Sequence, residues 1–294
     1  MKADTNTIGL IGFGEAGKAF AKGWQQHSAS LSISAFDIKF SGQSGAAEGG
    51  ETATPTVLRC SSSKELNALN TFSLVTADQA NAAAKSFADV LQPGVLFFDG
   101  NSCAPQTKEV SAQMIEAAGG RYVDVAIMSP VHPKLHRTPL LISGPHAADA
   151  HEFLTDLGMD ATIVEGPIGK ASSIKMVRSI LMKGLEAVVM ECVLAGRAAG
   201  VSEYVLDSLD VTYPNFDWRK QAARMMERAT THGARRASEM QEVAKTVKLL
   251  GLPPLMATST VEWMNHASGA GVRFDQEGLD HATMADELLA LVKR

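Results

Sequence analysis

Hydrophobic positions fall into two regimes along the chain. As far as residue 165, short apolar runs alternate with segments whose apolar residues recur at helical spacing. Thr7–Ile11 is a run of the kind a buried parallel strand presents. Glu15–Gln26 follows with Phe20 and Trp24 on one helical face, and Leu31–Phe36 alternates as a strand. Further strands are expected at Val57–Cys60, Phe72–Thr76, Val95–Phe98 and Tyr122–Ala126, with helices at Ser62–Leu69, Gln79–Leu91 and Pro105–Ala118. Leu140–Ser143, a helix at Ala147–Leu157 and a strand at Ala161–Val164 extend the series. Gly42–Thr56, rich in glycine and alanine, reads as a surface loop or a frayed helix. Repeated strand–helix units predict an α/β fold: an N-terminal Rossmann doubly wound parallel sheet, covered on both faces.

From Gly166 the alternation stops, and an all-α C-terminal domain is expected. Helices are predicted at Ile174–Ala199, Glu203–Leu209, Trp218–Thr231, Ala234–Leu250, Pro254–Ala267 and Met284–Val292. The first of these is long, with Ser172 or Ser173 as its N-cap and apolar residues around most of its circumference, the pattern of a buried helix. Its polar residues are not scattered: Lys175, Arg178, Ser179, Lys183 and Glu186 share a stripe of roughly 140°. Either the stripe is a solvated face or it lines a cleft with Lys175 pointing inward. The domain boundary is placed near Glu165, dividing 1–165 from 166–294, with the long helix serving both halves of that cleft.

Composition narrows the classes. The chain has 294 residues, 45% hydrophobic and 20% charged, with net charge −5, which describes an ordinary globular protein of two domains. No dominant basic field is present, so nucleic acid is not the expected partner. Three widely spaced cysteines suggest a reducing compartment and match neither a disulfide framework nor a zinc site. The N-terminus lacks a long apolar signal core and no uncharged run reaches membrane-spanning length, so the expected location is cytoplasmic.

The chemistry begins after the first strand. Gly12-Phe13-Gly14-Glu15-Ala16-Gly17 is a G-x-G-x-x-G between strand and helix, and Asp37 closes the next strand 20 residues after Gly17. The first glycine allows a tight turn, the second lets backbone approach a pyrophosphate, and the third lets helix pack on strand. The helix N-terminus then faces phosphates, and Asp37 accepts from an adenosine ribose. Strand, glycines, helix, strand and acid in this order predict dinucleotide binding. Asp37 favours NAD because its charge repels a 2′-phosphate; Lys39 could pair with one, so NADP stays open. Other strand ends carry Val75-Thr76-Ala77, Asp99–Pro105 and Met128–Pro133, where ligands sit in such sheets.

These residues resemble the β-hydroxyacid dehydrogenases, relatives of 3-hydroxyisobutyrate dehydrogenase and 6-phosphogluconate dehydrogenase. The likeness covers the first domain and the start of the second. It is carried by the glycine fingerprint, by Asp99-Gly-Asn101-Ser102-Cys-Ala-Pro105 against D-x-[NS]-[ST]-x-x-P, and by Tyr122-Val-Asp124-Val against Y/F-V-D-A. Thr138-Pro-Leu140 with Ser143-Gly144, and Gly166-Pro-Ile-Gly169 followed by Lys175, complete it. The resemblance implies that Lys175 is the catalytic acid/base, that Ser102 touches substrate or nicotinamide, that Val75, Thr76 and Asn101 flank the cofactor, and that the protein is a homodimer through residues after Gly166. Departures mark a less characterised branch. The usual S-G-G carboxylate loop is Met128-Ser129-Pro130, where proline removes an N–H donor. Ser179 replaces the asparagine four residues after the lysine, and His232-Gly-Ala-Arg235-Arg236 replaces a K-D pair.

Oxidation of an alcohol needs a base for the hydroxyl proton, and a lysine serves only if burial or neighbouring cations disfavour its ammonium form. Ser102, Ser129 and Ser179 would orient substrate oxygens, and Arg178, Arg236 or His132 would bind an anionic group. Plainer roles exist for several of them: Ser102 as cap of the Pro105 helix, Arg236 and His232 as a polar helix end, Cys103 as a packed thiol. The expected activity is hydride transfer between NAD(P) and an anionic small molecule, a 3-hydroxy acid or related compound. A decarboxylating dehydrogenase, an imine reductase or a non-catalytic dinucleotide-binding protein fits the same architecture.

Overall fold

The computed structural model describes residues 7–40, 45–46, 57–67, 69–274 and 280–292. It divides into two compact units, 1–176 and 177–294. Among the described residues no helix is long and apolar enough to cross a membrane.

The first unit is built on a nine-stranded sheet: β1 (Thr7–Ile11), β2 (Ser32–Phe36), β3 (Gly45–Ala46), β4 (Val57–Cys60), β5 (Asn70–Ser73), β6 (Leu96–Asp99), β7 (Arg121–Ile127), β8 (Leu140–Ser143) and β9 (Ala161–Ile163). Their order is β3-β4-β2-β1-β5-β6-β7-β8-β9. The segment from β4 to β7 is all parallel, and its order reverses between β1 and β5, the switch point at which a doubly wound sheet opens a crevice. Helices α1 (Glu15–His27), α2 (Ala80–Ala88), α3 (Pro105–Ala117) and α4 (Ala147–Asp156) cover the two faces. Neighbouring residues of β6 show why both faces are apolar: Phe98 stacks on Phe72 and Phe153 in one layer, while Phe97 stacks on Phe87 and Tyr122 in the other.

Local readings shift where tertiary contacts decide. β5 starts earlier than expected and stops at Ser73, so Leu74–Thr76 leave the sheet as a loop. Ser63–Leu66 closes as a short 3₁₀ turn rather than a longer helix. Of the expected loop Gly42–Thr56, only Gly45–Ala46 lies among the described residues, and it pairs antiparallel with β4. β8 also departs from the parallel expectation. It pairs antiparallel with β7, because the connection from 128 to 139 holds a single 3₁₀ turn and no crossover helix.

The second unit is helical: α5 (Lys170–Ala198), which the division at Met176 cuts, then α6 (Ser202–Thr212), α7 (Trp218–Leu249), α8 (Leu255–Gly269) and α9 (His281–Val292). Met190, Val193, Trp218, Met226, Met264, Met284 and Leu288 form its core. The two helices expected on either side of Gly233 are one helix of 32 residues. A glycine inside a helix is a weak break, and here it is a packing residue: a Cβ at Gly233 would lie 2.6 Å from the Met264 carbonyl of α8. On α5 neither the polar stripe nor the apolar positions behave as one face: Arg178 is exposed, and Met176, Val189 and Leu194 are buried. Ser179, Lys183 and Glu186 of the polar stripe are buried, while Val177, Leu181 and Val188 are 52%, 71% and 50% exposed.

Candidate active site

At the switch point the loop after β1 is held by its neighbours. Gly12 donates its N–H to the Phe36 carbonyl at 2.8 Å, and its φ of +92° suits glycine. A Cβ there would strike the Leu74 carbonyl at 2.5 Å, and one at Gly17 would strike the Gly12 carbonyl at 2.5 Å. Gly14 differs, since a Cβ would meet nothing within 4 Å. It is also the N-cap of α1 and offers no side chain to the first-turn N–H groups, which therefore face the open side of the loop. Asp37 is fixed beside this loop, one oxygen accepting from the Phe13 N–H at 2.8 Å and the other from the Lys39 N–H at 3.0 Å. Each carboxylate oxygen retains a lone pair for a ligand hydroxyl. An open glycine, an uncapped helix start and an oriented acid fit a dinucleotide.

The next strand ends carry the polar groups. Asn101 is buried and ties two loops together: its Oδ1 accepts from the Val75 N–H at 2.7 Å and its Nδ2 donates to Ser73 Oγ at 3.0 Å. Ser102 follows it. The N-cap of α3 is Ala104, so Ser102 does not cap that helix. Its Oγ accepts instead from Lys175 Nζ at 2.6 Å. Accepting from the ammonium leaves the Ser102 O–H available to donate elsewhere.

Beneath this pair lies a fully buried network. Lys108 Nζ donates to the Asp99 carbonyl at 2.6 Å and Asp99 Oδ1 at 2.8 Å, and lies 3.7 Å from Asp124 Oδ1. Burial alone would lower the Lys108 ammonium, yet the carboxylates of Asp99 and Asp124 hold it above its ordinary value. Asp99 also accepts from the Asn101 N–H at 3.0 Å and from the Tyr122 hydroxyl at 2.7 Å. Burial, then the same two carboxylates, push the Tyr122 phenol well above its usual range, so it stays a donor. Asp124 accepts from Ser172 Oγ at 2.5 Å, from the Ser172 N–H at 3.0 Å and from Ser143 Oγ at 3.0 Å. Ser143 Oγ in turn accepts from the Ala171 N–H at 3.0 Å. The first turn of α5 is therefore satisfied from the sheet, by an anion at the positive end of the helix. Neither Ser172 nor Ser173 is the N-cap, because the helix already begins at Lys170.

With this geometry in hand, comparison with known proteins is informative. Domain of unknown function (DUF1932) matches residues 197–267. Over almost the whole chain the structure is similar to a conserved hypothetical protein from Sinorhizobium meliloti 1021, at 31% identity and TM-score 0.73, covering 98% of this chain and 97% of the other. A second conserved protein of unknown function, whose structure is described as similar to 3-hydroxyacid dehydrogenases, matches at 25% identity and TM-score 0.67, covering 90% and 97%. The chain belongs to the β-hydroxyacid dehydrogenase family. In fold, the likeness within the β-hydroxyacid dehydrogenases extends to 3-hydroxyisobutyrate dehydrogenase from Salmonella typhimurium (17% identity, TM-score 0.66, 95% and 98% covered). It reaches an imine reductase from Myxococcus stipitatus whose structure contains NAD⁺ (17% identity, TM-score 0.57, 96% and 99% covered).

The other residues expected from the β-hydroxyacid dehydrogenase pattern each have surroundings of their own. Ser129 is half-buried, with its Oγ 3.4 Å from the Pro130 carbonyl, and His132 is exposed. Arg178 is exposed on α5. Within the second unit Ser179 Oγ accepts from Lys183 Nζ at 3.3 Å, and Lys183 meets Glu239 of α7 at 2.9 Å. Burial lowers the Lys183 ammonium, Glu239 opposes this, and Arg236 and Arg228 add to it. Arg236 is 5% exposed and its guanidinium contacts Glu186, which Arg228 approaches at 3.4 Å. Sequence reasoning missed Lys108, Tyr122, Ser143 and the hydroxyl of Ser172 that reaches back to the sheet. For Lys108 a signal was present: it falls on the face of α3 that also carries Ser111, Ala112 and Ile115, all buried, where a solvated lysine has no place.

Proposed function

We propose that this chain is a nicotinamide-dependent oxidoreductase acting on a 3-hydroxy acid or a related small hydroxy or carbonyl compound, with Lys175 as general acid/base. The observation that carries the reading is the 2.6 Å bond from Lys175 to Ser102, on the strand-end loops that follow the glycine turn. The Gly12–Gly17 loop holds the pyrophosphate on the α1 N-terminus, Asp37 takes the ribose, and Val75, Thr76 and Asn101 border the nicotinamide end. Bound NAD supplies or accepts the hydride. Lys175 takes the hydroxyl proton in oxidation and returns it to the carbonyl oxygen in reduction, while the Ser102 hydroxyl orients that oxygen. Among cations for a substrate carboxylate, His132 is exposed on the strand-end loop after β7, whereas the Arg236 guanidinium already meets Glu186. The exposed apolar residues of α5 support a homodimer through the helical unit.

The test follows reduced-cofactor absorbance over a panel of 3-hydroxy acids and their oxo forms, with calorimetry of NADH and NADPH. Lys175→Ala is expected to lower kcat by about 10²–10⁴ with NADH affinity unchanged. Lys175→Arg is expected to fail nearly as badly, since arginine keeps its proton at neutral pH. NADH is expected to bind more tightly than NADPH because of Asp37. Turnover near wild type in either lysine variant sinks the role of Lys175, and tighter NADPH binding sinks that of Asp37.

A further inference from the structure

Burying one ammonium and two carboxylates is expensive, and stability alone does not require it, because apolar residues of similar volume fill such sites at no net loss. Lys108, Asp99 and Asp124 are each 0% exposed, so the reason for their burial lies in what they hold. Asp99 starts the loop that carries Ser102, and it binds that loop through the Asn101 N–H. Asp124 grips the first turn of α5 through both polar groups of Ser172 and, by way of Ser143, through the Ala171 N–H. Lys175 lies less than one turn beyond Ser172 on the same rigid helix, so a displacement of the first turn passes to it undiminished. One carboxylate thus clamps the serine loop and the other clamps the lysine helix. The Lys108 ammonium touches both, at 2.8 Å and 3.7 Å.

We infer that Lys108 is a positioning residue for the Ser102–Lys175 pair, bridging the two carboxylates that fix the segments on which the pair is mounted. The inference rests on the reading of Lys175 as the proton-transfer group. Catalytic pairs tolerate displacement poorly: about 1 Å of misplacement costs about a hundredfold in rate. Removing the Lys108 ammonium leaves two carboxylates facing each other without their common partner. One is then expected to take up a proton and loosen its hold on loop or helix.

The experiment uses the full chain labelled with ¹³C-lysine. The Cε signal of Lys175, assigned by its loss in Lys175→Arg, is titrated by NMR in wild type, Lys108→Met and Ser172→Ala. Ser172→Ala removes a single hydroxyl from the Asp124 clamp and leaves the core charges in place, so it decides the matter if Lys108→Met does not fold. Both variants are expected to move the Lys175 titration midpoint by about half a pH unit or more. Lys108→Met is expected to lower kcat by about ten- to a hundredfold with NADH affinity within about threefold, and Ser172→Ala to do the same more weakly. A Lys175 titration that coincides with wild type in the folded variants, alongside a lowered unfolding midpoint, makes Lys108 merely structural and overturns the inference. The titration needs no turnover. Near-wild-type activity of Lys175→Arg would sink the reading of Lys175 while leaving the titration result to stand.

Discussion

In the first unit Lys108 faces two carboxylates, and each of their four oxygens accepts at least one hydrogen bond. In the second unit Lys183 meets Glu239 while two guanidiniums crowd the carboxylate of Glu186, and Arg236 Nε has no hydrogen-bond partner. The first cluster has an anion in excess, turned toward the N-terminus of α5, where a helix welcomes it. The second packs Lys183, Arg228 and Arg236 around the carboxylates of Glu186 and Glu239. Burial lowers both lysines, but the carboxylates of Asp99 and Asp124 outweigh it at Lys108, whereas Glu239 does not at Lys183. A satisfied buried network specifies geometry; a crowded one leaves charge to spare.

The largest expected effect breaks this contrast directly. Lys108→Met removes the common partner of two buried carboxylates and is expected to cost about 3–5 kcal/mol, whereas Lys183→Met removes an ammonium that burial already disfavours and costs about 1–2 kcal/mol. Urea unfolding of both variants measures the difference, and equal losses would erase it. Next comes a buried group with no charge partner. His136 is 4% exposed, neither ring nitrogen has a hydrogen-bond partner, and burial, then Arg137 and His27, lower it to about 4. Below about pH 6.5 the unfolded chain binds a proton that the folded chain refuses. The contribution of His136 is therefore fully present above pH 6.5, is lost as pH falls toward about 4, and is constant below that. Its size is up to about 3 kcal/mol. Stability measured from pH 7 to 4 should slope less in His136→Leu, and parallel slopes would count against the assignment. The smallest effect sharpens the contrast: Glu186→Met with Arg236→Met is expected to fall within about 1 kcal/mol of wild type, or to gain, where Glu186→Met alone leaves a guanidinium stranded. A large loss in the double variant would show that the second cluster also specifies structure.

What is legible in the sequence follows the range of the interactions. The turn at Gly12–Gly17, the strand before it and Asp37 after it depend on neighbours within one βαβ unit, and their pattern is readable. The start of α5 is misread from local sequence because its cap is Asp124, 48 residues distant, and not a local serine. Gly233 is misread as a break because the helix that needs its bare backbone lies 31 residues onward at Met264. Lys108 is visible as a lysine on an apolar face, but nothing local announces two carboxylates on two different strands. The path from Ile127 to Leu140 carries no helical pattern, and that is itself a warning that β8 returns antiparallel, since a parallel neighbour usually needs a crossover helix.

That return has its own consequence. Antiparallel pairing sets Ser143 opposite Asp124, and so places its hydroxyl on the same face of the sheet as the carboxylate it serves. The side-chain period of a strand is two, and a slip of one residue would carry Ser143 to the opposite face and set Ile142 or Gly144 against Asp124 in its stead. Insertions in the connection from 128 to 139 should therefore be absorbed as changes of loop shape, while a single deletion inside Leu140–Ser143 would unmoor the start of the long helix.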